Sequence, residues 1–174
     1  KPHVSRSLFV RCGLFGGDSQ QLLAHCRRDI DGQQRFQERG DHIGGLLASD
    51  GSEAYPNARY VTGQAEFDAW AAQENEGFES NVRPLADKMT FIGDGDDVVS
   101  GITGMAAFGH TPGHMVYMLD SVGEQTLIMA DLANHYVWSL AYPEWEVRFD
   151  MDSEAAASSR RRVLDMAATE RMPI

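Results

Sequence analysis

The hexapeptide Gly109-His110-Thr111-Pro112-Gly113-His114 separates two short apolar runs, 104–108 and 115–119. Apolar runs of this length bounded by turn residues predict β-strands, and Pro-Gly is typical of the turn between them. Glycine lets a backbone approach a neighbouring group closely, and imidazole is a common zinc ligand. The stretch therefore predicts a strand-loop-strand unit with candidate metal ligands, although two loop histidines at a plain turn would give the same pattern.

Two further clusters flank this hexapeptide along the chain. Asp41-His42-Ile43-Gly44-Gly45-Leu46 precedes it, and Ala130-Asp131-Leu132 follows an apolar run. Singly, an Asp-His pair or a carboxylate at a strand end is a common chance occurrence. Together, imidazole and carboxylate form the ligand set that zinc uses when it activates water, so the three clusters in this order predict a metal site.

The remaining pattern indicates a layered α/β (α+β) domain with a mixed sheet, which we expect to span residues 1–174. Helices are predicted after Ser19, over 66–72 and after Asp152-Ser153; in the last of these, Arg160, Arg161 and Arg162 are expected to be exposed. Strands are predicted by the apolar runs 4–10, 58–61, 89–92, 98–99, 104–108, 115–119 and 126–129.

Composition restricts the partners. Fifteen basic residues against 26 acidic ones give a net charge of −11, which argues against binding to nucleic acid or to an anionic membrane surface. Apolar runs of about 20 residues, which a membrane-spanning helix requires, are absent from the sequence. Cys12 and Cys26 fit neither a metal pair nor a disulfide scaffold. We therefore expect a soluble protein with a small-molecule substrate, in a cytoplasmic or an exported compartment.

The order DHIGGL (41–46), GHTPGH (109–114) and ADL (130–132) resembles the metallo-β-lactamase superfamily. Pro143-Glu144-Trp145, followed by Phe149 to Ser153 and an arginine-rich helix, resembles the branch with methyl parathion hydrolase and related lactonases. The likeness covers residues 41–174. It implies an αββα sandwich and a dinuclear zinc centre, with iron, manganese or cobalt as alternative metals.

The resemblance also assigns site residues. Asp41 and His42 would bind one zinc ion, His110 the other, and Asp131 would bridge the two. Asp41 and Asp131 would also be catalytic, since they would orient a metal-activated water. His114 would support the ligands from behind.

The chain departs from the family's HxHxDH motif, because Gln37 and Arg39 stand where two histidine ligands would lie. A guanidinium has no lone pair to offer a metal. The family's last histidine ligand would follow Ile174. Two interpretations are open: the chain is a degenerate relative, or residues 10–40 are shortened or unreliably identified.

An aromatic segment follows Asp131 and contains His135, Tyr136, Trp138, Tyr142 and Trp145. We expect His135 and Trp138 to contact an apolar substrate, although aromatic residues at such spacing are also typical of a core or of a homodimer contact. The function that the resemblance implies is a zinc hydrolase that cleaves an ester, lactone or phosphotriester. The alternatives are a metal-free binding or structural relative and a di-iron oxidoreductase of the same fold.

Overall fold

The computed structural model describes residues 42–174, which form two β-sheets and four α-helices. A 3-10 turn, His42–Gly45, comes first, and β1 (Tyr60–Gly63) leads directly into α1 (Gln64–Ala71). The short helix α2 (Glu76–Asn81) and a second 3-10 turn (Arg83–Lys88) then lead into β2 (Met89–Ile92). β1 and β2 pair in parallel, which the α1–α2 crossover between them permits.

The second sheet is antiparallel and is built from consecutive hairpins. Its strands are β3 (Asp97–Val99), β4 (Ile102–Ala106), β5 (Met115–Ser121) and β6 (Glu124–Ile128), in that spatial order. After β6 come a 3-10 turn (Ala130–Leu132), the four-residue helix α3 (Trp138–Ala141) and the long helix α4 (Ser153–Thr169). The mixed strand directions confirm the expected mixed-sheet architecture.

The apolar core has three parts, and each lies between two layers. One packs α1 and α2 on the first sheet, a second packs the two sheets face to face, and a third packs α4 on the second sheet. Neighbouring strand residues serve different parts: Tyr60 and Val61 point to opposite faces of β1, and Val116 and Tyr117 to opposite faces of β5. The layer order is therefore helix, sheet, sheet, helix, as the predicted αββα sandwich requires.

Local sequence explains where the main helices begin. The Asp152 side chain accepts a hydrogen bond from the Ala155 N–H and caps α4, and Asn75 caps α2 in the same way through Phe78 N–H. α4 then presents Val163 and Ala167 to the second sheet, while Ala156 is buried against Gly109 of the loop between β4 and β5. In the part of the chain that the structure describes, no helix is long and apolar enough to cross a membrane.

Candidate metal centre

The loop between β4 and β5 carries the GHTPGH sequence, and its two glycines each press against the first turn of a helix. A Cβ added to Gly113 would lie 2.0 Å from the backbone nitrogen of Glu66 in α1, and one added to Gly109 would lie 2.0 Å from that of Ala156 in α4. Gly109 also has φ +127°, a conformation that L side chains rarely adopt. The loop is thus held between two helices in a manner open only to glycine.

Glu66 fastens the Gly113 end of this loop. Its carboxylate is 3% exposed and accepts one hydrogen bond from Trp70 Nε1 at 2.7 Å and one from the Gly113 N–H at 2.8 Å. Because an ionised carboxylate only accepts hydrogen bonds, it suits two donors that converge on it. The sequence suggested only an amphipathic helix here and gave no hint of this contact, which joins residues 47 positions apart.

His110 and Asp131, which the sequence placed in one metal site, are brought together. His110 lies in the β4–β5 loop and Asp131 in the 3-10 turn after β6, and both side chains are buried. His110 Nε2 is 3.7 Å from Asp131 Oδ2, a spacing that lets both atoms contact one ion. Ala130, next to Asp131, has φ +47°, so the turn that aims the carboxylate carries a strained backbone.

His114 lies behind this pair and contacts the backbone of Asp131. Its Nδ1–H donates to Ala107 O at 3.0 Å, and its Nε2 accepts a hydrogen bond from Asp131 N–H at 3.2 Å. Burial is the main cause that lowers the pKa of His114 below its ordinary value, so the ring is held neutral. Both ring nitrogens are thereby occupied by the protein, and the placement suits the supporting role that the resemblance implies.

Two residues that sequence reasoning missed lie behind His110. Asp150 Oδ1 is 3.0 Å from His110 Nδ1, and Asp150 Oδ2 accepts a hydrogen bond from Arg160 Nη1 at 2.9 Å. The prediction that Arg160 is exposed is wrong: its side chain is 1% exposed, whereas Arg161 and Arg162 are exposed as expected. Burial acts to raise the pKa of Asp150, but the hydrogen bonds from His110 and Arg160 outweigh it and lower that pKa.

The other two predicted ligands, Asp41 and His42, and the positions where the family motif departs, Gln37 and Arg39, lie at or beyond the edge of the described residues. Asp41, Gln37 and Arg39, together with the whole stretch 10–40, lie outside them. The backbone of His42 opens the first 3-10 turn. The interpretations placed on these residues therefore stay predictions.

His135 and Trp138 lie in the segment between Asp131 and α4, and their side chains contact each other. The rings stack with centroids 4.4 Å apart, and His135 Nδ1 accepts hydrogen bonds from the N–H groups of Val137 and Trp138. His135 thereby caps the short helix α3. Trp138 is 59% exposed, which leaves its outer face open to a ligand.

The donor set fits part of a metal centre. His110 and Asp131 supply an imidazole nitrogen and a carboxylate oxygen, whereas a zinc site takes three or four protein ligands. Among the side chains that the structure describes, which do not include that of His42, no group of three or more His, Cys, Asp or Glu is arranged to hold a metal. A complete zinc site at this position would therefore need further ligands.

A shallow surface concavity of about 510 Å³ lies at the opposite end of α1 from Glu66. None of the predicted site residues lines it. Its walls are Ala71, Ala72, Gln73, Glu74, Asn75, Glu76 and Glu79.

The chain matches no protein-family model and no curated protein. It is similar to several solved structures. One is AidC, a dizinc quorum-quenching lactonase, with 25% identity, a TM-score of 0.65, and coverage of 77% of this chain and 52% of that one. Another is the hydrolase AbOPH of the β-lactamase superfamily, with 22% identity, a TM-score of 0.68, and coverage of 77% and 52%.

A third is a probable metal-dependent hydrolase from Staphylococcus aureus, with 20% identity, a TM-score of 0.67, and coverage of 76% of this chain and 48% of that one. The chain thus spans about half the length of these proteins. The likeness confirms the metallo-β-lactamase α/β sandwich that the sequence predicted.

Proposed function

We propose that this protein is a metal-dependent hydrolase of the metallo-β-lactamase superfamily. The observation that carries the proposal is the buried pair of His110 Nε2 and Asp131 Oδ2, 3.7 Å apart, in which His110 lies on a loop packed closely against two helices. The solved structures to which it is similar include a dizinc lactonase and a probable metal-dependent hydrolase. In the proposed site Asp41 and His42 would hold one zinc ion, His110 would hold the other, and Asp131 would be a ligand of both.

Hydrogen bonds within the protein orient the residues of this site in the absence of substrate. Asp150 accepts the hydrogen on His110 Nδ1 and leaves Nε2 free to bind a metal. His114 fixes the backbone of Asp131 through Nε2. Zinc bound by these residues would supply an activated water nucleophile and polarise the scissile carbonyl or phosphoryl oxygen. Asp131, and Asp41 on the same proposal, would orient that water, so no serine or cysteine nucleophile is required.

For the substrate we propose a lactone with an apolar acyl chain. Two of the similar structures support this choice. AidC is a lactonase in complex with a homoserine product that carries an acyl chain. The other is an N-acyl homoserine lactone hydrolase with N-hexanoyl-L-homoserine bound at its catalytic metal centre. In this chain, exposed aromatic rings lie on the segment that follows Asp131, Trp138 among them. Such rings suit an acyl chain.

An aryl phosphotriester is the second substrate candidate. It follows from the resemblance of residues 143–153 to the methyl parathion hydrolase branch, and the same exposed rings would stack on an aryl group. A homodimer formed through these rings also stays a prediction.

The test is elemental analysis of the full-length protein, combined with hydrolysis assays on N-hexanoyl homoserine lactone and an aryl phosphotriester. We expect zinc and lactone hydrolysis, and His110→Gln and Asp131→Asn should each lower kcat/KM by more than about 100-fold. Asp165→Asn on the exposed face of α4 is the matched control and should retain activity.

Other results would select an alternative. A protein that takes up no zinc would be a non-catalytic relative. If the protein binds iron, has redox activity and hydrolyses neither substrate, it would be the di-iron oxidoreductase of the same fold.

A further inference from the structure

Behind His110 lies a buried chain of three side chains, His110, Asp150 and Arg160. The Asp150 side chain is fully buried and that of Arg160 is 1% exposed. Both carboxylate oxygens of Asp150 are engaged, Oδ1 by His110 Nδ1 at 3.0 Å and Oδ2 by Arg160 Nη1 at 2.9 Å. The guanidinium of Arg160 is always protonated, and its buried ion pair with Oδ2 favours the carboxylate form of Asp150, which can only accept hydrogen bonds.

This geometry determines which nitrogen of His110 carries the hydrogen. An ionised acceptor at 3.0 Å from Nδ1 requires Nδ1–H, which leaves the lone pair of a neutral ring on Nε2. Nε2 is the nitrogen that faces Asp131, with 3.7 Å between Nε2 and Oδ2. The tautomer able to bind an ion beside Asp131 is therefore set from the opposite side of the ring.

Arg160 in turn bonds both to Asp150 and to the backbone of the aromatic segment that precedes it. Its Nε donates to Pro143 O at 2.9 Å and its Nη2 to Trp145 O at 3.1 Å, so the guanidinium ties the aromatic segment to the same carboxylate. A lysine offers a single charged centre and could not make this planar set of contacts. Arginine is thus required by the number and directions of the acceptors.

We propose that Asp150 and Arg160 are positioning residues that hold His110 in its Nδ1–H tautomer with Nε2 directed at the metal side. The inference rests on the proposed metal site for its purpose. The tautomer itself is a property of the metal-free protein and is measured without activity. A purely structural ion pair would stabilise the fold and leave the tautomer of His110 unaffected.

The experiment is ¹⁵N NMR of the histidine rings in the full-length protein after chelator treatment, at about pH 8, with His110→Gln to assign the His110 signals. We expect the wild-type His110 ring to be in the Nδ1–H form. A wild-type ring in the Nε2–H form would overturn the proposal, whether or not any variant folds.

Asp150→Asn supplies the second arm. An asparagine has one acceptor oxygen, which the charged Arg160 should keep, so its NH₂ group would face His110 Nδ1. The hydrogen of His110 should then move to Nε2. Asp165→Asn removes the same charge at an exposed position of α4 and should leave the ring signals unchanged. A folded Asp150→Asn protein with wild-type His110 signals would contradict the proposal.

Zinc titration separates this inference from the proposed function. Asp150→Asn should weaken zinc binding by about 10- to 100-fold, and Asp165→Asn should not change it. If the tautomer moves but the wild-type protein binds no zinc, the positioning inference stands and the proposed metal centre fails. If wild-type zinc binding is tight and Asp150→Asn changes neither the tautomer nor the affinity, the metal centre stands and the positioning inference fails.

Arg160→Lys tests the last link in the chain. It retains a positive charge for Asp150 but loses the fork that reaches the carbonyls of Pro143 and Trp145. We expect the Nδ1–H tautomer to persist and zinc binding to weaken by several-fold, with Arg161→Lys as the exposed control. Equal zinc affinities for the two lysine variants would remove Arg160 from the proposal.

Discussion

The loop 109–114 and the aromatic segment 135–151 both adjoin the candidate site, and they are held in opposite ways. Every residue of the loop except Pro112 is buried, with His114 1% exposed, and two helices pack closely against its glycines. In the segment, Tyr136 and Trp138 are 80% and 59% exposed, and buried Arg160 holds the backbone. The loop therefore fixes reactive groups, while the segment offers a surface whose side chains can vary.

The largest effect should come from overfilling the loop. Gly109→Ala would place a Cβ 2.0 Å from Ala156 N and would also strain a residue at φ +127°, so we expect a loss of more than about 3 kcal/mol in unfolding free energy. Gly123→Ala is the matched control: its φ is +82°, but a Cβ there meets nothing within 4 Å, and it should cost about 1 kcal/mol. Urea denaturation measures both. Equal losses would show that this close packing does not hold the loop.

Alkaline unfolding probes the strand that follows the loop. Burial raises the pKa of Tyr117 to about 12, against about 10 in an unfolded chain. The stabilisation that comes from the raised pKa of Tyr117 in the folded state is fully present below about pH 10. It is lost as the pH rises to about 12, which lowers the unfolding free energy by up to about 3 kcal/mol. The unfolding free energy of Tyr117→Phe should fall less steeply over this range, and that of exposed Tyr136→Phe should follow the wild type. Parallel curves for wild type and Tyr117→Phe would contradict this.

Glu66 tests whether the loop depends on its carboxylate anchor. In Glu66→Gln the side-chain NH₂ would face either Trp70 Nε1–H or the Gly113 N–H, and one donor would lose its acceptor. We expect about 1–3 kcal/mol of destabilisation by thermal or urea unfolding. The control is Glu79→Gln in α2, whose ion pair with Arg83 is exposed to solvent and should contribute little to stability. If both variants lose the same small amount, Glu66 is not an anchor.

The smallest stability effect is expected in the aromatic segment. Trp138→Ala removes an exposed ring that stacks on His135, and we expect at most about 1 kcal/mol of destabilisation. On the proposed function, KM for a long-chain lactone should rise several-fold with kcat unchanged, whereas KM for a short-chain lactone should not change. A loss of kcat without a change in KM would contradict this, because Trp138 would then help to fix the reactive groups, as the loop 109–114 does, instead of contacting the substrate.

Local patterns predicted much of the framework. The run 89–92 became β2, and the runs around 104–108, 115–119 and 126–129 became β4, β5 and β6 with boundaries shifted by one or two residues. Asp152-Ser153 opened α4 as expected, because an aspartate cap is a local interaction. The helix α2 was missed, since its six residues, EGFESN, hold a single buried apolar side chain.

The candidate site was predicted in part. His110, His114 and Asp131 meet because they lie in the loop and turn next to strands β4, β5 and β6, which pair in register. The prediction that Arg160 is exposed is wrong, since Arg160 lies on the helical stripe of Ala156, Val163 and Ala167, a spacing that indicates an inward-facing residue. Asp150 offered no such signal, because nothing local separates it from Asp152.

The sequence by itself determined the strand and helix framework and the identity of the metal-capable side chains, because apolar periodicity, turn residues and caps act over a few residues. Only the tertiary structure decided how those side chains are held. The contacts that do so, Glu66 to Gly113, Asp150 to His110 and Arg160 to two distant carbonyls, join segments 10 or more residues apart. Each forms because layer packing buries a charge that must then find its partners.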